Sequence, residues 1–459
     1  MYFVVPDVPT SPASALADIA SAPVRDRATE DAAVSRTLAI KDVFDRIGYG
    51  GATPQVVSVL FWLSIQTHPL ALFLIGVLIG AKTLLSVIWS NLLTEYARLS
   101  KVPKSWIAAG GVVFGFLFII MTLALLMHSV WLFSGAFLLS ALCIVAYGDL
   151  YGAFTQEILR RERRGAFLRS IATWGVLITV ATMLLSGFLI DVFPSSGTPF
   201  TFSLFGHTFS LQVYGHLLAF EITAFAFIIS GYVTSFIKDQ RTGSGYPFGK
   251  FIGEYARLVR AKTAVFWLDG RVMTLTIGGV ILSLLQTALT AYTGIALYRI
   301  LASRYPTAPF FALAVVLSIA AVAAFTGPFF TQKAHRSTGL APTLVFGTLL
   351  MAILPIALIY KTGVAALAAA LCANVIGAAI VGFAQGMLAH QLLPDDRRHE
   401  YFQAQWVAIV IPYLILIPVL SLLANSSLTL LFWIIAVGLV AVVMPLHFIL
   451  VLAGQRSRS

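Results

Sequence analysis

Three charged side chains lie within long apolar runs, where a bilayer makes a charge costly. Asp149 lies near the end of one run, and Glu221 lies roughly 10 Å inside another at the helical rise. A carboxyl group that takes up a proton within the membrane is the simplest device for proton-coupled transport. We therefore predict Asp149 and Glu221 as proton-coupling candidates. The alternatives are a packing hydrogen bond for Asp149 and, for Glu221, an inward turn, a pair with His216 or a permanently protonated state.

Lys82 lies near the middle of a third apolar run, and two interpretations of it stay open. In the first, its ammonium group faces a cavity and attracts an anionic or zwitterionic solute. In the second, it forms a buried ion pair, with Asp149 as the partner, that fixes helix packing. Both interpretations place some partner beside the charge, because an isolated ammonium group inside a membrane is unstable.

Uncharged polar side chains recur at helical spacing in three further runs, so each set lies on one helix face. These stripes are Gln55, Ser58, Trp62 and Gln66; Ser283, Gln286, Thr290 and Thr293; and Asn374, Gly377 and Gln385. Polar side chains rarely face lipid, so the stripes predict a water-filled cavity. The predicted cavity residues are Gln55, Trp62, Gln66, Lys82, Asp149, Gln286, Thr290, Thr293, Asn374 and Gln385. Hydrogen bonds between packed helices are the alternative for each stripe.

The elements that position these residues are membrane spans. Of the 459 residues, 59% are hydrophobic and only 11% are charged, which excludes a soluble domain of this size. A spanning helix needs about 20 apolar residues. We predict twelve spans, at about 49–66, 70–93, 105–127, 131–154, 168–192, 212–236, 272–298, 309–331, 340–360, 363–388, 404–424 and 428–452.

The distribution of basic residues predicts the topology. Of the 30 Lys and Arg residues, only Arg299, Arg304 and Lys361 fall on alternate loops; the other loops and the two ends carry the rest, apart from Lys82. Basic residues are enriched on the cytoplasmic side. We therefore expect both termini inside, and we interpret the net charge of +11 as a topology signal and not as a nucleic-acid surface.

A long polar segment divides the chain into two halves of six spans. We predict a cytoplasmic tail over 1–48 with a short amphipathic helix at 34–47, bundles over 49–236 and 272–453, a central loop over 237–271 and a tail over 454–459. The central loop contains the amphipathic stretch FIGEYARLVRAK, which we expect to lie along the inner surface. At an offset of 234 residues, Arg164 matches Arg398 and Phe167 matches Tyr401, as a duplication requires.

The segment after span four resembles the major facilitator superfamily in its E-x6-R-G motif, formed by Glu157, Arg164 and Gly165. The loop after span two, NLLTEYARLSK, departs from that family's pattern: Glu95 replaces an aspartate, and both glycines are missing. The resemblance implies an all-α membrane protein with two six-helix bundles related by a pseudo-two-fold axis. It implies that spans one, four, seven and ten surround a central cavity. It also implies an inner-face latch of Glu95, Glu157 and Arg164, with solvated inner-loop charges as the alternative.

These features predict a secondary active transporter that moves a small solute by alternating access, coupled to a proton gradient. We expect a monomer in the plasma (inner) membrane whose partners are the solute, the lipid bilayer and protons, with no nucleic acid, cofactor or metal. A non-transporting receptor or scaffold on a transporter fold is the alternative. A membrane enzyme is a remote one, because the sequence has no G-x4-G-K-S/T motif and no H-E-x-x-H motif.

Overall fold

The structure is a computed structural model. It describes residues 24–100, 104–159, 161–194, 196–204, 207–237, 247–267 and 269–456. The words inner and outer below follow the predicted topology, in which the termini lie inside.

Seven helices lie in the described residues of the N-terminal half. They are α1 (Val24–Gly51), α2 (Pro54–Ile65), α3 (Ala71–Leu99), α4 (Lys104–Leu126), α5 (Val130–Ile158), α6 (Arg161–Val192) and α7 (Gly215–Ser235). An outer hairpin of two antiparallel strands, β1 (Thr198–Leu204) and β2 (His207–Val213), joins α6 to α7. This hairpin was not predicted from the sequence, and it is a local exception to the all-helical fold.

The second half begins after helix α8 (Phe248–Lys262), which lies in the predicted central loop and continues into a 3₁₀ turn, Thr263–Trp267. Seven described helices and a π-helical turn follow. They are α9 (Gly270–Arg304), α10 (Pro309–Thr338), α11 (Leu340–Ile359), α12 (Val364–Leu392), α13 (Asp395–Ser426), α14 (Leu428–Val437), the π turn Gly438–Val443, and α15 (Met444–Arg456).

Eleven described helical segments are long and apolar enough to cross a bilayer, so the chain is a multi-pass membrane protein. They correspond to predicted spans two to twelve. Span one is not among them because it is interrupted at Thr53, whose side chain caps α2, and at Pro54, which opens that helix. Helix α2 has 12 residues. The count of twelve spans therefore stays a prediction. The first span would consist of α1 and α2 together.

The segment predicted as a surface helix, 34–47, belongs to the N-terminal bundle in the structure. Helix α1 packs against α6 and α7, and Leu38 and Lys41 are fully buried. The prediction of a surface helix is wrong for this reason: the polar side chains of α1 meet polar partners inside the bundle. The predicted tail boundary at residue 48 consequently lies inside a packed helix.

The inner ends of α5 and α12 have the same local structure at the predicted offset of 234 residues. The Arg164 guanidinium donates to the carbonyl of Leu159 at 3.2 Å, and Arg398 donates to the carbonyl of Leu393 at 3.1 Å. Each leucine is the buried residue that ends its helix. The two halves therefore turn from their fourth to their fifth span in the same way, as a duplicated unit would.

Candidate functional site

The outer halves of the two bundles are joined by direct hydrogen bonds. The Tyr292 hydroxyl of α9 donates to the Leu72 carbonyl of α3 at 3.0 Å. The Asn425 amide of α13 donates to the Pro69 carbonyl at 2.9 Å. These bonds cross from the second half of the chain to the first, so they close the outer end of the interface.

A carboxylate forms a second outer contact between the two bundles. Asp191, at the end of α6, accepts the backbone N–H groups of Phe310 and Phe311 at 3.1 and 2.6 Å. These N–H groups belong to the first turn of α10, where a helix has unpaired donors and favours a negative charge. Asp191 thus caps a helix of the opposite bundle.

Close backbone packing completes the outer closure. A Cβ at Gly294 of α9 would lie 2.7 Å from the carbonyl oxygen of Gln55, so only glycine lets α2 and α9 approach this closely. Further out, the Arg299 guanidinium lies over the ring of Trp62 at 4.6 Å. Gln55 and Trp62, both predicted cavity residues, therefore lie at the contact between the bundles.

The inner half of the interface is open by comparison. In the outer part of α3, residues 71–80, the helix has buried positions that include Leu72 and Ile75. From Ala81 to Leu92, every residue is partly exposed, which leaves no buried face. Helices α5 and α12 make no extended contact along their described residues. The space between the bundles therefore opens towards the inner side.

Helix α8 borders this opening from below. Phe248 packs against Trp89 and Tyr96 of α3, with ring centroids 6.2 and 5.0 Å apart. The ammonium group of Lys262 lies 3.6 Å from the carboxylate of Glu95, which is 2% exposed. Helix α8 also contacts α13 of the second bundle. It therefore connects the inner ends of the two bundles.

Lys82 lies at the upper end of this space. Its ammonium nitrogen is 3.9 Å from the ring centroid of Phe137 in α5. Among the described residues it has no ion pair and no hydrogen bond, and the predicted pair with Asp149 is absent. Asp149 instead accepts a hydrogen bond from the Ser90 hydroxyl. Ser90 is eight residues from Lys82, or roughly 12 Å along α3.

A cavity of about 10 Å³, enough for roughly one water molecule, lies inside the N-terminal bundle. Phe137 belongs to its wall, so the ring that carries the lysine also faces the cavity. The lining is apolar except for one hydroxyl and consists of Val57, Ser58, Phe61, Ile75, Leu78, Ile79, Phe133 and Phe137. The Ser58 hydroxyl already donates to the Pro54 carbonyl at 2.7 Å.

The polar stripes of the second half contribute to its core. The Gln286 amide donates to Asn374 at 3.4 Å, and Asn374 donates to the Met351 carbonyl at 3.1 Å. The oxygen of Gln286 and the amide nitrogen of Gln385 are buried and have no hydrogen-bond partner among the described residues. These two atoms are therefore unpaired polar groups in the second bundle.

Three other predicted cavity residues have different surroundings. Thr293 is buried and donates to the carbonyl of Leu289 in its own helix, as a packed threonine does. Thr290 is partly exposed on the same helix. Gln66 is exposed at the outer end of α2, away from the inner opening.

Two further predictions concern the inner-face latch and Glu221. The side chain of Glu157 lies outside the described residues, so the latch of Glu95, Glu157 and Arg164 stays a prediction. Glu221 is partly exposed near the outer end of α7, and the described residues show no ion pair between it and His216.

A buried ionic cluster in the N-terminal bundle was missed by the sequence analysis. The Lys41 ammonium donates to Asp45 at 2.6 Å and to the Tyr147 hydroxyl at 2.8 Å. The carboxylate of Asp45 also accepts hydrogen bonds from the Ser230 hydroxyl, at 2.5 Å, and from the Tyr147 hydroxyl. The available signal was the i, i+4 spacing of a lysine and an aspartate on one helix face, which also fits a surface helix.

Comparisons with known proteins identify the architecture. No protein-family model matches the sequence, and no curated protein sequence matches it. The nucleoside transporter NupG (D323A mutant) superposes with a TM-score of 0.60 at 13% identity, covering 91% of this chain and 99% of that one. A bacterial homologue of the iron transporter ferroportin in an inward-facing state also gives 0.60, at 15% identity, covering 91% and 98%. A structure described under proton dependent oligopeptide transporters gives 0.61 at 13% identity, covering 93% and 100%.

Proposed function

We propose that this chain, whose fold is that of the major facilitator transporters, is a secondary active transporter that moves a small solute by alternating access. One observation carries the proposal. Direct contacts join the outer halves of the bundles, whereas partly exposed polar groups border the space on the inner side. A carrier needs a site that is open to one side at a time, because a continuous passage would dissipate any gradient.

Asp149 is the residue that we assign to proton coupling. Its carboxylate lies on the inner-facing part of α5 and shares a hydrogen bond with Ser90 of α3, so a change in its protonation alters a contact between two helices. A titratable group that biases a two-state element is the physical requirement for coupling. The likeness to proton dependent oligopeptide transporters favours the same energy source. Glu221 is the second candidate, roughly 9 Å below the outer end of α7.

The position of basic residues supports the cellular arrangement that we propose. Both termini would lie in the cytoplasm, and the protein would act as a monomer in the plasma (inner) membrane. The bundles would extend to residue 236 and from 272 to 453, joined by 237–271 and followed by a tail over 454–459. Glu95 and Lys262 connect α3 to α8, which also contacts α13, so the central segment would link the inner ends of the two bundles during the transport cycle.

Vesicle flux tests the proposal against its alternatives. The full chain is reconstituted into sealed liposomes, and a mixture of amino acids, nucleosides, sugars and organic acids is supplied with and without a pH gradient. We expect at least one solute to accumulate in or leave the liposomes faster than in protein-free controls, with a rate that depends on the pH gradient. A receptor or scaffold gives no flux for any solute. An enzyme changes the chemical identity of a solute even when the vesicles are leaky.

A further inference from the structure

The outer hairpin, β1 and β2, has two faces of opposite character. Its strands, TPFTFSL and HTFSLQV, alternate apolar with polar residues. The register pairs Phe200 with Leu211 and Thr201 with Ser210, and residues that pair directly share a face of the sheet. One face, called the apolar face below, therefore carries Phe200, Phe202, Leu204, Phe209, Leu211 and Val213. The opposite, polar face carries Pro199, Thr201, Ser203, Thr208, Ser210 and Gln212.

The helices of the protein leave the apolar face without extended packing. Along the described residues, neither strand makes an extended contact with a helix. Phe200 is 48% exposed. A two-stranded hairpin by itself is at best marginally stable in water and needs packing on an apolar face. The apolar face therefore needs a partner other than the described helices.

The base of the hairpin holds it at the membrane surface. Only residues 193–197 separate α6 from β1, and only Tyr214 separates β2 from α7. A Cβ at Gly215 would collide with the carbonyl oxygen of Phe193, so glycine at this position lets the start of α7 approach the end of α6. Both helices are long and apolar enough to cross the bilayer. The hairpin therefore begins where these two spans reach the outer membrane surface.

The composition of this segment indicates what covers the apolar face. Between Asp191 and Glu221 the sequence contains no Asp, Glu, Lys or Arg. The segment therefore offers a protein partner no acidic or basic side chain for an ion pair. At the outer end of α6, Phe188 and Val192 are exposed apolar side chains of a span, so lipid surrounds the helix from which the hairpin emerges. Apolar side chains of a surface element enter the boundary between headgroups and acyl chains, while its polar face stays in water.

We propose that the hairpin docks on the outer leaflet of the bilayer, with lipid as the partner of its apolar face. Phe200, Phe202, Leu204, Phe209, Leu211 and Val213 face the acyl chains. The hydroxyl groups of the polar face contact headgroups and water. This interaction is separate from solute transport and does not depend on it.

Fluorescent labels at adjacent positions test this orientation. The full chain, with Cys143 and Cys372 replaced by alanine, carries either Phe200→Cys or Thr201→Cys, labelled with the fluorophore NBD and reconstituted into phosphatidylcholine liposomes. One quencher is a phosphatidylcholine with a nitroxide in its upper acyl chain, and the other is iodide on both sides of the membrane. We expect the lipid quencher to act at least about twofold more strongly on the Phe200 label, and iodide to act more strongly on the Thr201 label.

The second strand supplies a matched pair of labels. Leu211→Cys and Ser210→Cys should repeat the alternation, because the register places them on the faces of Phe200 and Thr201. Equal quenching of both faces by iodide would overturn the proposal, because it would place the apolar face in water. A Phe200 label that is shielded from both quenchers would also overturn it. If that shielding depended on the density of protein in the membrane, the partner would be a second copy of the chain.

Photolabelling of the native chain keeps the test valid if a substitution disturbs the hairpin. A phosphatidylcholine with a diazirine in its upper acyl chain is activated in the liposomes, and mass spectrometry locates the adducts. We expect adducts within 198–213 as well as on Phe188 of α6, which is the internal control for contact with lipid. Adducts on α6 without adducts on the hairpin would overturn the proposal.

Discussion

The charged residues of the N-terminal bundle fall into two groups that the sequence alone separates poorly. Lys82 and Asp149 stand out in the sequence because they interrupt apolar runs. Lys41 and Asp45 lie in a segment polar enough to predict a surface helix, yet both are buried. The partner that decides this is Tyr147, more than one hundred residues later in the chain. No local pattern contains such a contact, so this part of the site could not be predicted.

Substituting Asp45 should destabilise the protein more than substituting its neighbour. Asp45→Asn removes the charge that compensates the fully buried Lys41, and breaking a buried pair in this way costs about 3–5 kcal/mol. Asp42→Asn is the matched control, because its partner Arg46 is 35% exposed and the pair lies at 3.5 Å. The control should lose about 1 kcal/mol or less. The measurement is the free energy of unfolding in detergent. Equal losses of stability in the two variants would show that the Lys41 cluster contributes no more than an exposed ion pair.

Asp149→Asn should separate proton-driven transport from binding. The amide has nearly the shape of the carboxyl group and keeps an acceptor for Ser90, but it cannot take up a proton. We expect flux driven by a pH gradient to be lost, while solute exchange and binding persist. The measurement is flux in liposomes with and without the gradient. Glu221→Gln, the same type of change in another span, is the comparison; unchanged pH-driven flux in Asp149→Asn would reject the assignment.

At the scale of helices, hydropathy predicted the positions of most spans. It failed where contacts with other helices, and not an apolar sequence, hold a helix in the bundle. Eleven spans follow from long apolar runs, and the amphipathic stretch of the central loop is a helix, α8. The beginning of the first span could not be predicted in the same way, since α1 is polar and is held by α6 and α7. The hairpin between α6 and α7 was also missed. Its register, from Thr198 opposite Val213, depends on pairing that short strands signal weakly.

The beginning of α9 offers a pH test at the inner surface. Asp269 caps this helix by accepting the backbone N–H of Arg271 at 2.8 Å, and the Arg271 guanidinium lies 2.9 Å from the same carboxyl group. These hydrogen bonds hold the pKa of Asp269 below its usual range. Because the folded-state pKa is depressed, the stabilisation is present above pH about 4, the ordinary aspartate value, and is lost as the pH falls.

Asp269→Ala should therefore destabilise the protein by about 0.5–1 kcal/mol near neutral pH, because a helix cap is lost at a partly exposed site. The difference between the native chain and the variant should shrink as the pH falls below about 4. Chemical unfolding of both proteins from pH 3 to 7 measures it. Asp269→Asn keeps a good capping side chain without the charge, so it should retain most of the stability near pH 7. A difference that grows in acid would contradict this account.

At the scale of the molecule, the two bundles could be predicted and their relative opening could not. The alternation of basic loops and the offset of 234 residues predict two bundles. The helix ends at Leu159 and Leu393 have the same local structure at this offset. In the proposed transport cycle, the opening would depend on the difference between two packed arrangements, typically only a few kcal/mol. Contacts such as that of Asp191 with the first turn of α10 would form in one arrangement and break in the other. Composition and periodicity are the same in both.

Fixing the outer halves together tests whether the bundles must separate there. A Cβ at Gly80 of α3 would lie 3.3 Å from the Cβ of Ile417 in α13, close to disulfide geometry. In a chain with Cys143 and Cys372 replaced by alanine, we expect the oxidised Gly80→Cys/Ile417→Cys variant to lose flux and to recover it on reduction. Binding from the inner side should persist in both states, because the bond joins contacts that are already closed.

The matched control joins two helices within one bundle. A Cβ at Gly51 of α1 would lie 3.5 Å from the Cβ of Thr223 in α7, so Gly51→Cys/Thr223→Cys forms an equivalent bond without crossing between bundles. Bundles that move as rigid units tolerate it, so flux should continue after oxidation.

If the oxidised Gly80→Cys/Ile417→Cys variant still transports, the solute crosses without separation of the outer halves, and alternating access by relative bundle motion is wrong. If both oxidised variants stop transport, the motion includes rearrangement inside the N-terminal bundle, and the break at Thr53 between α1 and α2 becomes the element where that rearrangement occurs.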